Sequence, residues 1–211
     1  MSSSSVGLAA RLEPEDRVRA DFYALLARLY FSAPDGQLLH LLGDAPLLAA
    51  EADSARLAQA WERLAAASRV MDADAAQDEF EALFGGVGRS LISLFGSYYA
   101  GAQVPGVAGQ FLVDLRAALA DLGLGLRSGQ SMPEDHLSAL FETMRLLVAG
   151  TAGCAPRTLS LQQEFFKTFI APWYAECCTA ICAAPVANFY KLVAECTRAF
   201  LAIEDESFAI A

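Results

Sequence analysis

The sequence predicts an all-α, single-domain bundle of about eight to ten helices. Apolar residues recur at the helical period along almost the whole chain, and no segment of useful length alternates as a half-buried strand would. The 211 residues suit one domain, and a hydrophobic fraction of 55% supplies a core. We expect a flexible N-terminal tail over residues 1–12 and a single helical domain over residues 13–211.

The helices of the first half begin and end at residues that favour helix termini. Pro14 and the acids that follow it suit an N-terminus, where N–H groups lack partners and the dipole is positive. Asp35 is predicted to cap a short helix that runs through Leu42, and further helices are expected over 51–69 and 72–84. The first helix carries an apolar stripe, formed by Val18, Phe22, Leu25, Leu26 and Leu29.

The stretch from residue 85 to residue 106 breaks the helical pattern. It is rich in glycine and aromatic residues, and such a long connection in a compact bundle is commonly functional or contains an irregular turn. It has no phosphate-binding glycine motif and follows no strand, so a phosphate site is not expected there. Helices are expected to resume over 105–122, 133–149, 157–171, 173–184 and 186–204.

The composition limits the classes of partner. A net charge of −10 disfavours nucleic acid and anionic membrane surfaces and favours a cationic partner. Charged residues interrupt every apolar run, and the N-terminus has no cationic region followed by a long apolar core, so we expect neither membrane insertion nor an export signal. The five cysteines cannot all pair within the chain, which favours the cytoplasm.

The segment "MPEDH" at residues 132–136 combines a proline, two acids and one of two histidines. Pro133 at the first helical position, followed by Glu134 and Asp135, is explained by helix initiation alone. His136 is predicted at the rim of the buried face. Considered alone, these residues favour a helix start over a polar binding rim, and either of these over a catalytic pair, which would need a third group.

The cysteines and aromatics each allow a structural interpretation. Cys177, Cys178 and Cys182 share one predicted helix without the close pairs on loops that metal sites use. A core role is therefore favoured for all five cysteines over a metal or redox site. Trp61 is predicted in the core, whereas Trp173 could face the core or a cleft. The aromatics of the glycine-rich stretch could line an apolar groove or fill the core, namely Phe84, Phe95, Tyr98 and Tyr99.

Several segments, in order and at similar spacing, resemble the TorD/DmsD family of redox-enzyme maturation chaperones. They cover most of the chain beyond the N-terminal tail. The segment that begins Pro-x-Asp-His is the most specific of them. The matching segments are "RADFYALLARLYFSAP" at 19–34, "EFEALFGG" at 79–86, "GSYYAG" at 96–101, "PEDHLSALFETM" at 133–144, "QQEFFKTFIAPW" at 162–173 and "FYKLVAECTRAFL" at 189–201.

The resemblance implies a TorD-like cytoplasmic chaperone without catalysis of its own. Such proteins bind the twin-arginine signal peptide of a molybdenum-cofactor oxidoreductase, and some also contact the folding enzyme, holding back export until the cofactor is inserted. By matching positions, the family's elements fall on Leu83, Phe84 and Gly86, on Ser97 and Tyr99, and on Pro133, Asp135 and His136. Met132 replaces a glutamate common in the family, and the family's paired prolines are missing from the loop.

A twin-arginine leader has two adjacent cations followed by an apolar segment, so its receptor needs carboxylates beside an apolar groove. We expect Asp135, helped by Glu134, to face the guanidinium groups, while His136 orients Asp135 or donates to the peptide backbone. The apolar part of the leader is expected to contact Leu83, Phe84, Phe95, Tyr99 and Trp173.

Other interpretations remain open at the level of sequence. A metal-dependent or His/Asp hydrolase would use His136 with Asp135, but its usual metal-binding spacings are missing. A carrier of GTP or of the molybdenum cofactor would need a phosphate site that the sequence does not indicate. We therefore expect no cofactor and no metal. The partner would be the precursor of a molybdopterin-containing reductase or dehydrogenase, bound by a monomer or a domain-swapped dimer.

Overall fold

A computed structural model describes residues 12–49, 54–85, 90–103, 106–124, 133–151 and 154–210. Within these ranges the chain forms helices and two isolated β-bridges but no strand, which confirms the all-α single-domain bundle. The helices are α1 Pro14–Phe31, α2 Gly36–Gly43, α3 Ala55–Ser68, α4 Ala73–Phe84, α5 Gly96–Gln103, α6 Val107–Asp121, α7 Leu137–Ala149, α8 Leu159–Phe169, α9 Tyr174–Ala183 and α10 Phe189–Ile210. None of them has the length and hydropathy needed to span a bilayer.

The core lies between α1, α7 and α10. α1 makes its most extensive contacts with α7, while α10 packs against α3 and α9, and α5 packs against α6. Tyr23 and Tyr30 of α1 are fully buried, with their rings about 6 Å from that of Phe141 in α7. Their hydroxyl groups are paired with Glu204 and Thr197 of α10. Because each buried aromatic ring contributes roughly 2–3 kcal/mol, these contacts join the three helices.

Several predicted features of the helices are confirmed. Pro14 is the first residue of α1, and the side chain of Asp35 accepts a hydrogen bond from the N–H of Leu38 at 2.8 Å. Trp61 is buried, and its indole N–H donates to the carbonyl of Pro46. Val18, which was predicted on the buried stripe of α1, is instead 53% exposed. The predicted tail lies outside the described residues except for Leu12, so the domain boundary stays a prediction.

Three predicted boundaries are wrong. The irregular stretch 85–106 contains the helix α5, and α7 begins at Leu137 and not at Pro133. The last helix, predicted over 186–204, is α10 and continues to Ile210. His136 is the N-cap of α7, where its Nδ1 accepts a hydrogen bond from the N–H of Ser138 at 3.2 Å. The backbone before Leu137 pairs with a distant segment, and this tertiary pairing replaces the helical turn that the proline and the acids favour.

The start of α10 depends on a carboxylate from α4. Glu79 is 9% exposed, and it accepts hydrogen bonds from the N–H groups of Asn188, Phe189 and Tyr190 at 2.7–3.0 Å. These donors belong to the first turn of α10, where N–H groups lack helical partners and a negative charge is favoured. Glu79 therefore connects α4 to the longest helix of the bundle.

Glu79→Ala should lower the free energy of unfolding by about 2–4 kcal/mol, because it leaves three N–H groups without their acceptor in a buried position. Urea denaturation followed by circular dichroism measures this change. Glu81→Ala is the matched control, since Glu81 is exposed on the same helix and accepts a hydrogen bond from Gln77. The control should change stability by less than about 0.5 kcal/mol. Equal effects of the two variants would contradict the capping role.

His136 should make the protein sensitive to acid. Burial lowers the pKa of His136 to about 4, although neighbouring Asp135 partly opposes the shift. The unfolded chain, with an ordinary pKa of about 6.5, therefore takes up a proton at a higher pH than the folded protein, and stability falls as the pH drops from about 6.5 to about 4.

His136→Asn keeps an N-cap acceptor but removes this titration. The stability of the wild type relative to this variant should therefore fall by up to about 3 kcal/mol between pH 7 and pH 4. Urea denaturation of both proteins across this range measures the difference. Parallel stability profiles would show that His136 is not held neutral by its burial.

Candidate functional site

The segment before α5 and the segment before α7 are held together by backbone hydrogen bonds. Phe95 and His136 form an isolated antiparallel bridge. The N–H of Leu137 donates to the carbonyl of Leu94 at 2.8 Å, and the N–H of Gly96 donates to the carbonyl of Asp135 at 2.9 Å. We call residues 93–99 together with residues 133–138 the α5–α7 junction. It brings together two motifs that are about forty positions apart in the sequence.

Asp135 caps α5, although it was predicted in the first turn of α7. Its side chain is 2% exposed, and its Oδ2 accepts hydrogen bonds from the hydroxyl of Ser97 at 2.6 Å and from the N–H of Ser97 at 3.1 Å. A carboxylate at a helix N-terminus satisfies free N–H groups and complements the dipole. The predicted site residues Asp135 and Ser97 are therefore in direct contact through Oδ2 of the carboxylate.

His136 and Asp135 do not form a catalytic pair in this geometry. The Nδ1 of His136 accepts a hydrogen bond from the backbone of Ser138, whereas the carboxylate of Asp135 is bonded to Ser97. His136 is 8% exposed and lies edge-on to the ring of Phe95, with 5.1 Å between ring centroids. Its pKa of about 4 keeps the imidazole neutral at pH 7. These contacts favour a positioning role for His136 over acid–base chemistry.

Two further predicted site residues, Tyr99 and Trp173, stack on each other behind the junction. Their ring centroids are 5.0 Å apart with an interplanar angle of 17°, and the side chains are only 3% and 2% exposed. The hydroxyl of Tyr99 donates to the carbonyl of Ser93, which anchors the loop before α5. Trp173, for which the sequence left core and cleft open, belongs to the core.

Gly96 allows this close packing. A side-chain carbon at this position would lie 2.7 Å from the ring of Phe111 and 3.1 Å from Nε1 of Trp173. Both distances are shorter than ordinary carbon contacts, so a larger residue would push α6 or Trp173 away. Sequence reasoning did not select Gly96, Ser93 or Phe111. The only local signal for Gly96 was its place before Ser97 in the matched segment "GSYYAG".

Leu83 and Phe84 lie at the end of α4 and contact different surroundings. Leu83 is fully buried, and its carbonyl accepts a hydrogen bond from the N–H of Ile92 at 2.9 Å, which connects α4 to the loop before the junction. Phe84 is half-buried, and its ring packs at 5.2–6.2 Å against Tyr30, Phe80 and Tyr190. Gly86 lies outside the described residues.

The exposed part of the junction combines one acid with apolar side chains. Pro133 is exposed, and the side chain of Glu134, 15% exposed, forms an ion pair with Arg116 of α6 at 3.3 Å. Tyr98 is 58% exposed, and Phe95 is half-buried. Nothing in the local sequence around Arg116 indicated that it would meet Glu134, because the two residues belong to different helical segments.

Three of the five cysteines lie in the core, as predicted. Cys177, Cys178 and Cys196 are buried, whereas Cys182 is half-buried and Cys154 is exposed. Burial raises the pKa of the Cys177 and Cys196 thiols to about 12, which keeps them protonated and unreactive at neutral pH. Among the residues that the structure describes, no group of three or more His, Cys, Asp or Glu side chains could hold a metal ion.

A cavity of about 490 Å³ lies away from the junction, between α2 and the turn that joins α3 to α4. Its lining includes His40, Asp44, Arg69 and Asp72, and none of the predicted site residues contributes to it. The cavity is open and its charged side chains have both signs, so it does not define a ligand class. The α5–α7 junction, which unites seven of the predicted site residues, is the stronger candidate site.

Comparison with known proteins agrees with the resemblance found in the sequence. A profile of the nitrate reductase delta subunit family matches residues 50–179, well over half of the chain. No curated protein matches the chain significantly. The profile family is one of molybdoenzyme maturation chaperones and not of catalysts. The chain therefore belongs to the nitrate reductase delta subunit family of redox-enzyme maturation chaperones.

Proposed function

We propose that this chaperone binds the twin-arginine leader of a molybdenum-cofactor oxidoreductase in the cytoplasm and holds back export until the cofactor is inserted. The observation that carries the proposal is the α5–α7 junction, which combines the partly exposed acid Glu134 with exposed Tyr98 and half-buried Phe95. The matched family description makes a nitrate reductase the first cargo to test. The net charge of −10 would speed the encounter with a cationic leader.

Glu134 is the residue that we assign to the arginine contact. Its side chain is 15% exposed, whereas Asp135 is 2% exposed and already bonded to Ser97. A carboxylate can accept two parallel N–H bonds from one guanidinium group, which gives both affinity and orientation. Asp135 contributes indirectly in this assignment, because it fixes the start of α5 and thereby the neighbouring loop.

The apolar half of the leader would lie against the exposed face of the same junction. Tyr98 is 58% exposed, and Phe95 is half-buried beside His136. Tyr99 and Trp173 are buried behind this surface, so they would support it without contacting the leader. An apolar helix that follows the two arginines could settle against such aromatic side chains.

Glu134→Gln should weaken the binding of a synthetic leader peptide that carries Ser-Arg-Arg and an apolar stretch by about three- to tenfold, because the charge-assisted bonds are lost. Isothermal titration calorimetry measures this affinity. Glu142→Gln is the matched control, since Glu142 is an exposed acid of α7 paired with Arg145. A peptide with both arginines replaced by glutamine should bind the wild type and Glu134→Gln equally. Unchanged affinity of Glu134→Gln for the arginine peptide would contradict the assignment.

Ser97→Ala removes the hydroxyl that donates to Asp135 at 2.6 Å. We expect a loss of about 1–3 kcal/mol in the free energy of unfolding, because a buried carboxylate loses a hydrogen-bond donor. The affinity for the leader peptide should fall in parallel as the start of α5 loosens. Ser97→Thr, which keeps a hydroxyl, should retain more of both properties. A stability loss without any change in leader affinity would show that α5 does not position the binding surface.

A further inference from the structure

We propose that Arg116 of α6 is an internal competitor for an arginine of the leader, and that the leader displaces it from Glu134. The inference rests on the proposed function, because it assumes that the leader's arginine binds this carboxylate. Its new element is that the unliganded protein already holds a guanidinium group in the arginine subsite.

The contact has the geometry that an incoming arginine would use. Nε of Arg116 lies 3.3 Å from Oε1 of Glu134, and Nη2 lies 3.5 Å from Oε2, so the two side chains face each other with two parallel contacts. This is the bidentate arrangement that guanidinium and carboxylate groups favour. A second guanidinium cannot adopt the same arrangement while Arg116 occupies it.

The pair is weak enough to be exchanged. The corresponding distances between Arg19 and Glu204 are 2.8 and 2.9 Å, and the carboxylate of that pair is almost completely buried. The side chain of Arg116 is 60% exposed. Solvent screens the exposed guanidinium and two long side chains lose freedom in the contact, so this pair contributes less than the Arg19–Glu204 pair; fully exposed pairs contribute about 0.2–1 kcal/mol. The leader would therefore lose little binding free energy when it displaces the Arg116 side chain from Glu134.

Displacement requires only a side-chain rotation. The neighbouring Leu115 is fully buried, and Phe111 packs edge-on against Phe169 at 5.7 Å, so α6 is anchored by its apolar face. Arg116 itself is exposed and is not part of this apolar anchor. The helix can remain in place while the arginine swings into solvent.

Because Arg116 competes for Glu134, a ligand would need a larger binding free energy to occupy the arginine subsite. A tethered side chain acts at a high effective concentration, so a peptide with a single weak cation gains little by replacing Arg116. A leader with two adjacent arginines and an apolar segment brings further contacts and can overcome this cost. Arg116 would thus act as a specificity-determining residue of the leader site.

The test is calorimetric titration of the arginine peptide and the glutamine peptide described above into five proteins. These are the wild type, Arg116→Gln, Glu134→Gln, the double variant Arg116→Gln/Glu134→Gln, and Arg63→Gln. Arg63 is the matched control, because it is also an exposed arginine paired with a glutamate, Glu195. Its removal changes the net charge equally, and thermal unfolding verifies that each variant is folded.

Arg116→Gln should bind the arginine peptide about two- to fivefold more tightly than the wild type. It should bind the glutamine peptide with unchanged affinity. Arg63→Gln should match the wild type with both peptides. In the Glu134→Gln background, the removal of Arg116 should have no effect, because the carboxylate for which the two arginines compete is no longer charged.

Three outcomes would overturn the inference in distinguishable ways. If Glu134→Gln weakens binding but Arg116→Gln does not strengthen it, the arginine subsite stands and Arg116 is no competitor. If Glu134→Gln leaves the affinity for the arginine peptide unchanged, the assignment of the subsite in the proposed function fails together with the inference. Equal tightening by Arg63→Gln and Arg116→Gln would assign the effect to net charge and also overturn the inference.

Discussion

The contact between the buried carboxylate of Asp135 and the start of α5 is the interaction on which the α5–α7 junction depends. A carboxylate removed from water needs hydrogen-bond donors, and Ser97 supplies its hydroxyl and its N–H group. In return, α5 begins at a defined residue, and the loop before it is fixed against the segment before α7. Tyr99 then reaches Trp173, and Phe95 reaches His136. The contact between Asp135 and Ser97 fixes the backbone of both segments, and this determines the positions of Glu134, Phe95 and Tyr98.

A carboxylate from another element also caps α10. Glu79 of α4 accepts hydrogen bonds at the start of this helix, more than one hundred residues away in the sequence. In both cases, the donors at a helix N-terminus are satisfied by a carboxylate from another element and not by a local N-cap. Such caps form only when the helices have already packed. The start of α5 and the start of α10 therefore depend on the tertiary structure, which links helix formation to the assembly of the bundle.

The functional assignment within the segment Pro133–His136 changes once exposure is known. Asp135 and Glu134 are adjacent acids, and the sequence favoured Asp135 as the arginine contact. Burial of Asp135 against Ser97 leaves Glu134 as the acid with a partly exposed side chain, already paired with Arg116. A chaperone must release its cargo, and an exchangeable ion pair with an exposed arginine suits reversible binding better than a fully buried carboxylate would.

The sequence by itself determined the helical class, the local cap at Asp35 and the apolar faces, because periodicity and capping depend on residues a few positions apart. It also indicated the segments that form the junction, through the order of the family's motifs. Only the tertiary structure decided that α5 is a helix, that α7 begins at Leu137, and that Arg116 meets Glu134. These features arise from hydrogen bonds and charge contacts between distant segments. No local pattern encodes such contacts, because each partner is chosen by the packing of the whole bundle.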